Sequence, residues 1–285
     1  MSIVVTGATG HLGRLVVESL LQRGVAADQV VATGRSVEKL ADLADRGVVV
    51  RRADYTDPGS LKEAFEGAEK VLLVSSSEIG QRDAQHVNVI DAASAAGVGL
   101  VVYTSITRAD SSGMALAEEH RATEEYLRES GVPFVLLRND WYIENYTEQL
   151  PAVLEHGALV GSAGDGRISA ATRGDYAEAA AVVLTTPGHE GRTYELAGPS
   201  FTLADVAAVV SAASGREVSY VDVPSAKLAE VLVGAGVPEP LAQVLADSDL
   251  GIARGDLEEP SGELEQLLGR QPVSLSQAVT GTLAR

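Results

Sequence analysis

Ser2-Ile3-Val4-Val5-Thr6-Gly7-Ala8-Thr9-Gly10-His11-Leu12-Gly13 opens with an apolar, β-branched run and closes with three regularly spaced glycines. Ile3 to Thr6 read as a buried strand, and Leu12, Val16, Val17, Leu20 and Leu21 then recur at helical spacing, so the glycines occupy a strand-to-helix turn. In such a turn Gly7 permits the tight reversal, Gly10 lets a pyrophosphate approach the backbone, and Gly13 lets the helix pack closely on the strand. The helix N-terminus adds free N–H groups and the positive end of the peptide dipoles. The stretch reads as a nucleotide site.

The Gly-x-x-Gly-x-x-Gly spacing is one residue wider at its first gap than the Gly-x-Gly-x-x-Gly of most dinucleotide dehydrogenases. It resembles the extended and atypical branches of the short-chain dehydrogenase/reductase superfamily. The expected fold is α/β, a Rossmann-type doubly wound parallel sheet with a smaller C-terminal α/β lobe. Residues 1–150 are expected to form the NADP-binding domain, and residues 151–285 a substrate-binding lobe partly packed back on the core.

Composition narrows the function classes. The formal net charge of -18 argues against nucleic acid and anionic membrane surfaces, whose recognition needs clustered Lys and Arg. The absence of cysteine excludes disulfides, thiolate metal sites and a cysteine nucleophile, and the five histidines show no metal-ligand spacing. No apolar run is long enough to span a bilayer, and a strand starting at residue 2 leaves no room for a signal peptide. A soluble cytoplasmic protein is expected, with a homo-oligomer left open.

Further strands place further candidates. After Val30 to Ala32 comes Arg35, suited to pairing with a 2′-phosphate and so favouring NADP over NAD; its other reading is a solvated Arg near a helix start. Ser36 is expected to cap the following helix, which carries Val37, Leu40 and Leu43 and ends at Gly47. Asp54, after a strand at Val48 to Val50, stands where short-chain dehydrogenases commonly bind the adenine amino group. Asp57-Pro58 offers the better cap for the next helix and leaves Asp54 free for that contact. Ser75, Ser76 and Ser77 follow the strand Val71 to Val74, outside the carboxyl ends of the strands of an open α/β sheet, where ligands collect near the switch in strand order. A fifth strand, Leu100 to Tyr103, is expected to end at Thr104-Ser105, where the superfamily orients a substrate carbonyl.

The superfamily's acid is a Tyr four residues before a Lys, and the matching positions here are Leu116 and His120. Without that Tyr, ordinary carbonyl reduction, alcohol oxidation and sugar epimerisation are disfavoured, because each moves a proton at a poorly acidic oxygen. His120 is a candidate near the nicotinamide; it reads equally as a helix histidine exposed or bonded to a carboxylate. A sixth strand, Pro133 to Leu137, runs into Arg138-Asn139-Asp140-Trp141-Tyr142-Ile143-Glu144, an aromatic and amide cluster able to pack around flat rings.

Taken together the chain resembles the NmrA-like group of atypical short-chain dehydrogenases, and within it the flavin-free NADPH quinone oxidoreductases. The segments that carry the resemblance begin at Thr6, Ser75, Leu137, Gly157 and Leu245. It implies an NADPH-binding core, a small C-terminal lobe and a small-molecule quinone between them. The residues that match the family's cofactor segments are Gly7, Ala8, Thr9, Gly10, His11 and Leu12; Arg35; Ser75, Ser76 and Ser77; and Asn139, Asp140, Trp141, Tyr142, Ile143 and Glu144. A quinone is easily reduced to a stabilised phenolate-like oxygen, so the missing Tyr is consistent with it. The final proton could come from water, from a hydroxyl such as Ser105 or Tyr142, or from His120. The competing class is a non-catalytic NADP-sensing regulator that binds a protein partner. A nucleotide-sugar epimerase or dehydratase is weakened by the lost Tyr and Lys.

Overall fold

The computed structural model describes residues 2–284. Its strands are β1 (Ile3–Val5), β2 (Val30–Gly34), β3 (Val49–Arg52), β4 (Lys70–Leu73), β5 (Leu100–Ile106), β6 (Phe134–Asn139), β7 (Ala158–Gly161), β8 (Arg167–Ile168), β9 (Thr193–Leu196), β10 (Phe201–Thr202) and β11 (Ser219–Asp222). The helices are α1 (His11–Gln22), α2 (Ala41–Asp45), α3 (Pro58–Ala64), α4 (Arg82–Ala95), α5 (Ala115–Glu129), α6 (Glu144–Thr147), α7 (Leu150–His156), α8 (Arg173–Thr185), α9 (Leu203–Ser214), α10 (Ser225–Gly234), α11 (Glu239–Arg254), α12 (Glu263–Leu268) and α13 (Leu275–Leu283).

Seven strands form one parallel sheet in the order β3-β2-β1-β4-β5-β6-β9. Both faces are covered, which is why the strands read as unbroken apolar runs rather than alternating ones. Ile3 and Val5 point to one face, against Val16 and Leu20 of α1 and the alanines of α8; Val4 points to the other, against Leu61, Val89, Ile90 and Leu127 of α3, α4 and α5. This is the α/β Rossmann-type architecture.

The chain leaves this sheet after β6 and returns to it. β9 is its seventh strand, and α8 and α12 cover the face of α1, so three C-terminal elements belong to the main layer. A second cluster, built on Ile143, Tyr146, Phe201, Leu203, Val206, Ile252 and Val279, organises the smaller lobe. There β7 pairs in parallel with β11, and β8 pairs antiparallel with β10. No helix among the described residues is long and apolar enough to cross a membrane.

Two local expectations are corrected. β5 does not end at Tyr103 but runs to Ile106, because β6 continues to pair with it through Ser105↔Arg138 and Ile106↔Asn139. The expected helix after Ser36 splits into a 3₁₀ turn, Val37–Leu40, and the short α2, and the Ser36 side chain caps neither; its carbonyl instead accepts from Lys39 N–H, the i to i+3 bond of a 3₁₀ turn.

Candidate functional site

Because β1 pairs with β2 on one side and β4 on the other, the connections leaving their carboxyl ends diverge and open a crevice. A cleft of about 450 Å³ lies there. Its floor is the Gly7–Gly13 turn; Gly34 and Arg35 line one side, Asp54 and Tyr55 the next, Ser75 to Glu78 the opposite lip, and Tyr142 and Arg173 the far end. Gly7 has φ +61°, in the left-handed region open to glycine. A Cβ at Gly13 would stand 2.5 Å from the Gly7 carbonyl oxygen, so only glycine lets α1 start this close to β1. The first turn of α1 has no side-chain cap and no acidic residue, leaving its positive end facing the cleft.

The serine lip is held from below. Ser75 N–H donates to Thr104 Oγ1 at 2.9 Å, and Ser76 N–H donates to His86 Nε2 at 2.9 Å. A backbone N–H can only donate, so His86 Nε2 carries no proton and Nδ1–H donates to Thr123 Oγ1, 2.9 Å away. Burial, with the Arg82 charge nearby, pushes the His86 pKa down to about 3, which keeps the ring a neutral acceptor. Arg82 Nε donates to the Ser76 carbonyl, and the Tyr55 hydroxyl bonds Thr6 and the Val74 carbonyl, fixing both ends of the lip.

Charge is concentrated at the outer edge. Arg35 Nη1 donates to Glu78 Oε1 at 2.6 Å, and Gln85 Nε2 donates to Glu78 Oε2 at 2.8 Å. Asp54 accepts from Thr56 N–H and Oγ1–H at 3.0 and 2.8 Å, and these bonds hold its pKa below the usual carboxylate value. Asp57 caps α3 by accepting from Gly59 and Ser60 N–H.

At the far end the Arg173 guanidinium lies 5.0 Å over the Tyr142 ring, and Tyr176 meets that ring edge-on at 5.6 Å. Burial raises the Tyr142 pKa despite Arg173 and the neighbouring Asn139 side chain, so the phenol stays protonated. The rest of this segment supports rather than lines the cleft. Glu144 accepts from Arg173 N–H at 2.9 Å, Trp141 packs against the lobe's cluster, and Ile143 is buried in it. Asp140 is buried with Oδ1 accepting from Trp141 N–H at 2.6 Å, and burial raises its pKa well above the carboxylate range. Ala8 is also buried, behind Thr9.

His120 and Ser105 are not brought to the cleft. Ser105 shares its strand face with Tyr103, turned toward α5, and donates to Glu124 Oε1 at 2.6 Å, inside a network where Glu124 also binds Arg138. The His120 ring is buried, its Nδ1 paired with the Tyr103 hydroxyl at 2.7 Å, and burial drives its pKa well below the ordinary value. It is neither exposed nor bonded to a carboxylate.

Tyr55, Glu78, Arg82, Gln85 and Arg173 line the cleft without having been singled out by sequence. Arg82 and Gln85 could have been found as polar residues on the buried face that α4 shares with Val89, Ile90 and Ala93. Gln85 Oε1 and Asn139 Oδ1 are buried without a hydrogen-bond partner, and the buried Arg82 Nη1 has only a long ion pair, 3.6 Å from Glu119 Oε2. One weakly engaged donor and two open acceptors in and beside a glycine-floored cleft suit the phosphates, hydroxyls and amino groups of a dinucleotide.

The NmrA-like family pattern matches residues 1–279. Quinone oxidoreductase 2 of Escherichia coli (strain K12) is 50% identical over 279 residues, covering 98% of this chain and 97% of that protein. A crystal structure of an Escherichia coli NADPH-dependent quinone oxidoreductase complexed with NADPH superimposes with a TM-score of 0.95 at 48% identity, covering 99% of each chain. The Citrobacter sp. triphenylmethane reductase complexed with NADP(H) gives 0.94 at 40% identity, over 99% of this chain and 100% of that one.

Proposed function

The chain belongs to the NmrA-like family, and on that footing we propose that it is an NADPH-dependent quinone oxidoreductase working by direct hydride transfer between its two lobes. The observation that carries this reading is the cleft itself: a glycine turn, an uncapped helix start, Arg35 and the serine lip converge on one crevice of about 450 Å³ that runs to Tyr142. Full-length likeness to a quinone oxidoreductase complexed with NADPH supports it.

Bound NADPH supplies the hydride. The Gly7–Gly13 turn, with Ala8, Thr9, His11 and Leu12, and the α1 N-terminus hold the pyrophosphate; Arg35 pairs with the 2′-phosphate, Asp54 meets the adenine, and Ser75, Ser76 and Ser77 meet the ribose or phosphates. Asn139 to Glu144 shape the nicotinamide end, with Tyr142 on the cleft wall and the buried Asn139 behind it. The smaller lobe walls the quinone in beside Trp141. With NADPH bound, holding its nicotinamide against the quinone would do most of the catalytic work through proximity and orientation, and an easily reduced acceptor needs no strong acid. With His120 and Ser105 engaged elsewhere, the proton comes from Tyr142 or from water, and Tyr142 stays protonated because burial raises its pKa. We place this activity in the cytoplasm, away from nucleic acid and anionic lipid, in keeping with the net charge of -18.

The deciding assay follows loss of NADPH absorbance when a simple benzoquinone meets flavin-free protein, beside an NADH control. Rapid, enzyme-dependent oxidation that favours NADPH is expected. Tight NADPH binding with no oxidation would replace this reading with the redox sensor and its protein partner.

A further inference from the structure

The Arg35–Glu78 pair bridges the mouth of the cleft from the end of β2 to the lip after β4. Arg35 is the only residue at that mouth read as a 2′-phosphate ligand, yet here a carboxylate already occupies its guanidinium. That carboxylate is also engaged on its far side. Its second oxygen is held by Gln85 Nε2 at 2.8 Å, and Gln85 is itself only 4% exposed, anchored on the inner face of α4. The other acidic neighbour, Asp54, feels the Arg35 charge but spends its bonds on Thr56.

We infer that Glu78 is a specificity-determining residue: it competes with the cofactor's 2′-phosphate for Arg35 and accepts a hydrogen bond from a 2′-hydroxyl, so that it narrows the preference for NADPH over NADH. This rests on the reading of Arg35 as the phosphate ligand. A phosphate and a carboxylate sharing one guanidinium stand about 5–6 Å apart, and at near-aqueous screening their repulsion is worth about three- to tenfold in affinity. The 2′-hydroxyl carries no charge and is a donor, so the same carboxylate costs NADH nothing and can help hold it.

The test is direct titration of NADPH and NADH, without quinone, by cofactor fluorescence on the intact protein and on Glu78→Gln and Arg35→Ala. Glu78→Gln keeps the size and the bond to Arg35's neighbourhood but removes the charge, and it lies in a partly exposed position. The expected result is that Glu78→Gln tightens NADPH about three- to tenfold and leaves NADH unchanged or weaker, while Arg35→Ala weakens NADPH selectively. If Arg35→Ala weakens NADPH but Glu78→Gln leaves the ratio of the two affinities unchanged or lowers it, the role of Glu78 is overturned alone. If Arg35→Ala leaves NADPH binding untouched, the phosphate reading falls and the role of Glu78 falls with it.

Discussion

Tyr142 is the one hydroxyl among the three candidate proton donors whose side chain lines the cleft. Its neighbours act in opposite directions: burial favours the neutral phenol, and Arg173 over the ring favours the phenolate, with burial the larger influence. The hydroxyl is therefore a donor over the whole working pH range. A hydrogen bond to an oxygen gaining negative charge is worth about 1.5–3 kcal/mol, so Tyr142→Phe should lower kcat about tenfold or more while the KM for NADPH stays within about twofold. Steady-state kinetics with benzoquinone checks this, and an unchanged kcat assigns the proton to water. His120 could not have been excluded from sequence, because its partner, the Tyr103 hydroxyl, lies on a strand 17 residues earlier and nothing local announces the pairing.

Among the elements, the β1-turn-α1 unit was readable because everything that shapes it is contiguous. The third glycine is the tightest point. A Cβ on Gly13 would meet Gly7 O at 2.5 Å, Gly7 C at 2.7 Å and Ala8 Cα at 3.0 Å, all backbone atoms that cannot rotate aside. Gly13→Ala should therefore lower unfolding stability by about 1–3 kcal/mol and weaken NADPH binding, measured by denaturant melts and fluorescence titration; Gly10→Ala, with its nearest contact at 3.3 Å, makes the milder comparison. The end of β5 was not readable. Thr104 and Ser105 look like a turn, but each finds a partner, Ser75 N–H for one and the buried Glu124 for the other, and pairing with β6 carries the strand through them. Gln85 and Arg173 were hidden for a related reason: one sits on the inner face of a helix, the other enters from a helix far along the chain, and only the fold brings them to the same cleft.

At the scale of the molecule, pH acts on stability through buried groups outside the cleft. Asp249 of α11 accepts from Ser162 N–H at 2.7 Å, and burial raises its pKa to about 6. The folded chain thus keeps a proton that the unfolded chain loses near pH 4. Its stabilising contribution is full below that point, declines as pH rises, and is gone once pH passes about 6. Asp249→Asn should remove this decline, worth at most about 3 kcal/mol and less after solvent screening. Thermal melts should show the variant gaining on the parent between pH 4 and 6, with a constant difference above pH 7.

The route of the chain between its lobes has a further consequence, for synthesis. β6 ends at Asn139, and its outer neighbour in the sheet, β9, begins only at Thr193. The ribosome delivers about 5–20 residues per second, so several seconds pass during which the nascent sheet carries an open edge and α1 lacks its cover from α8. An open parallel edge is a template for pairing with any passing strand. By returning to the sheet so late, this fold lengthens the interval in which a newborn chain is most exposed to its neighbours.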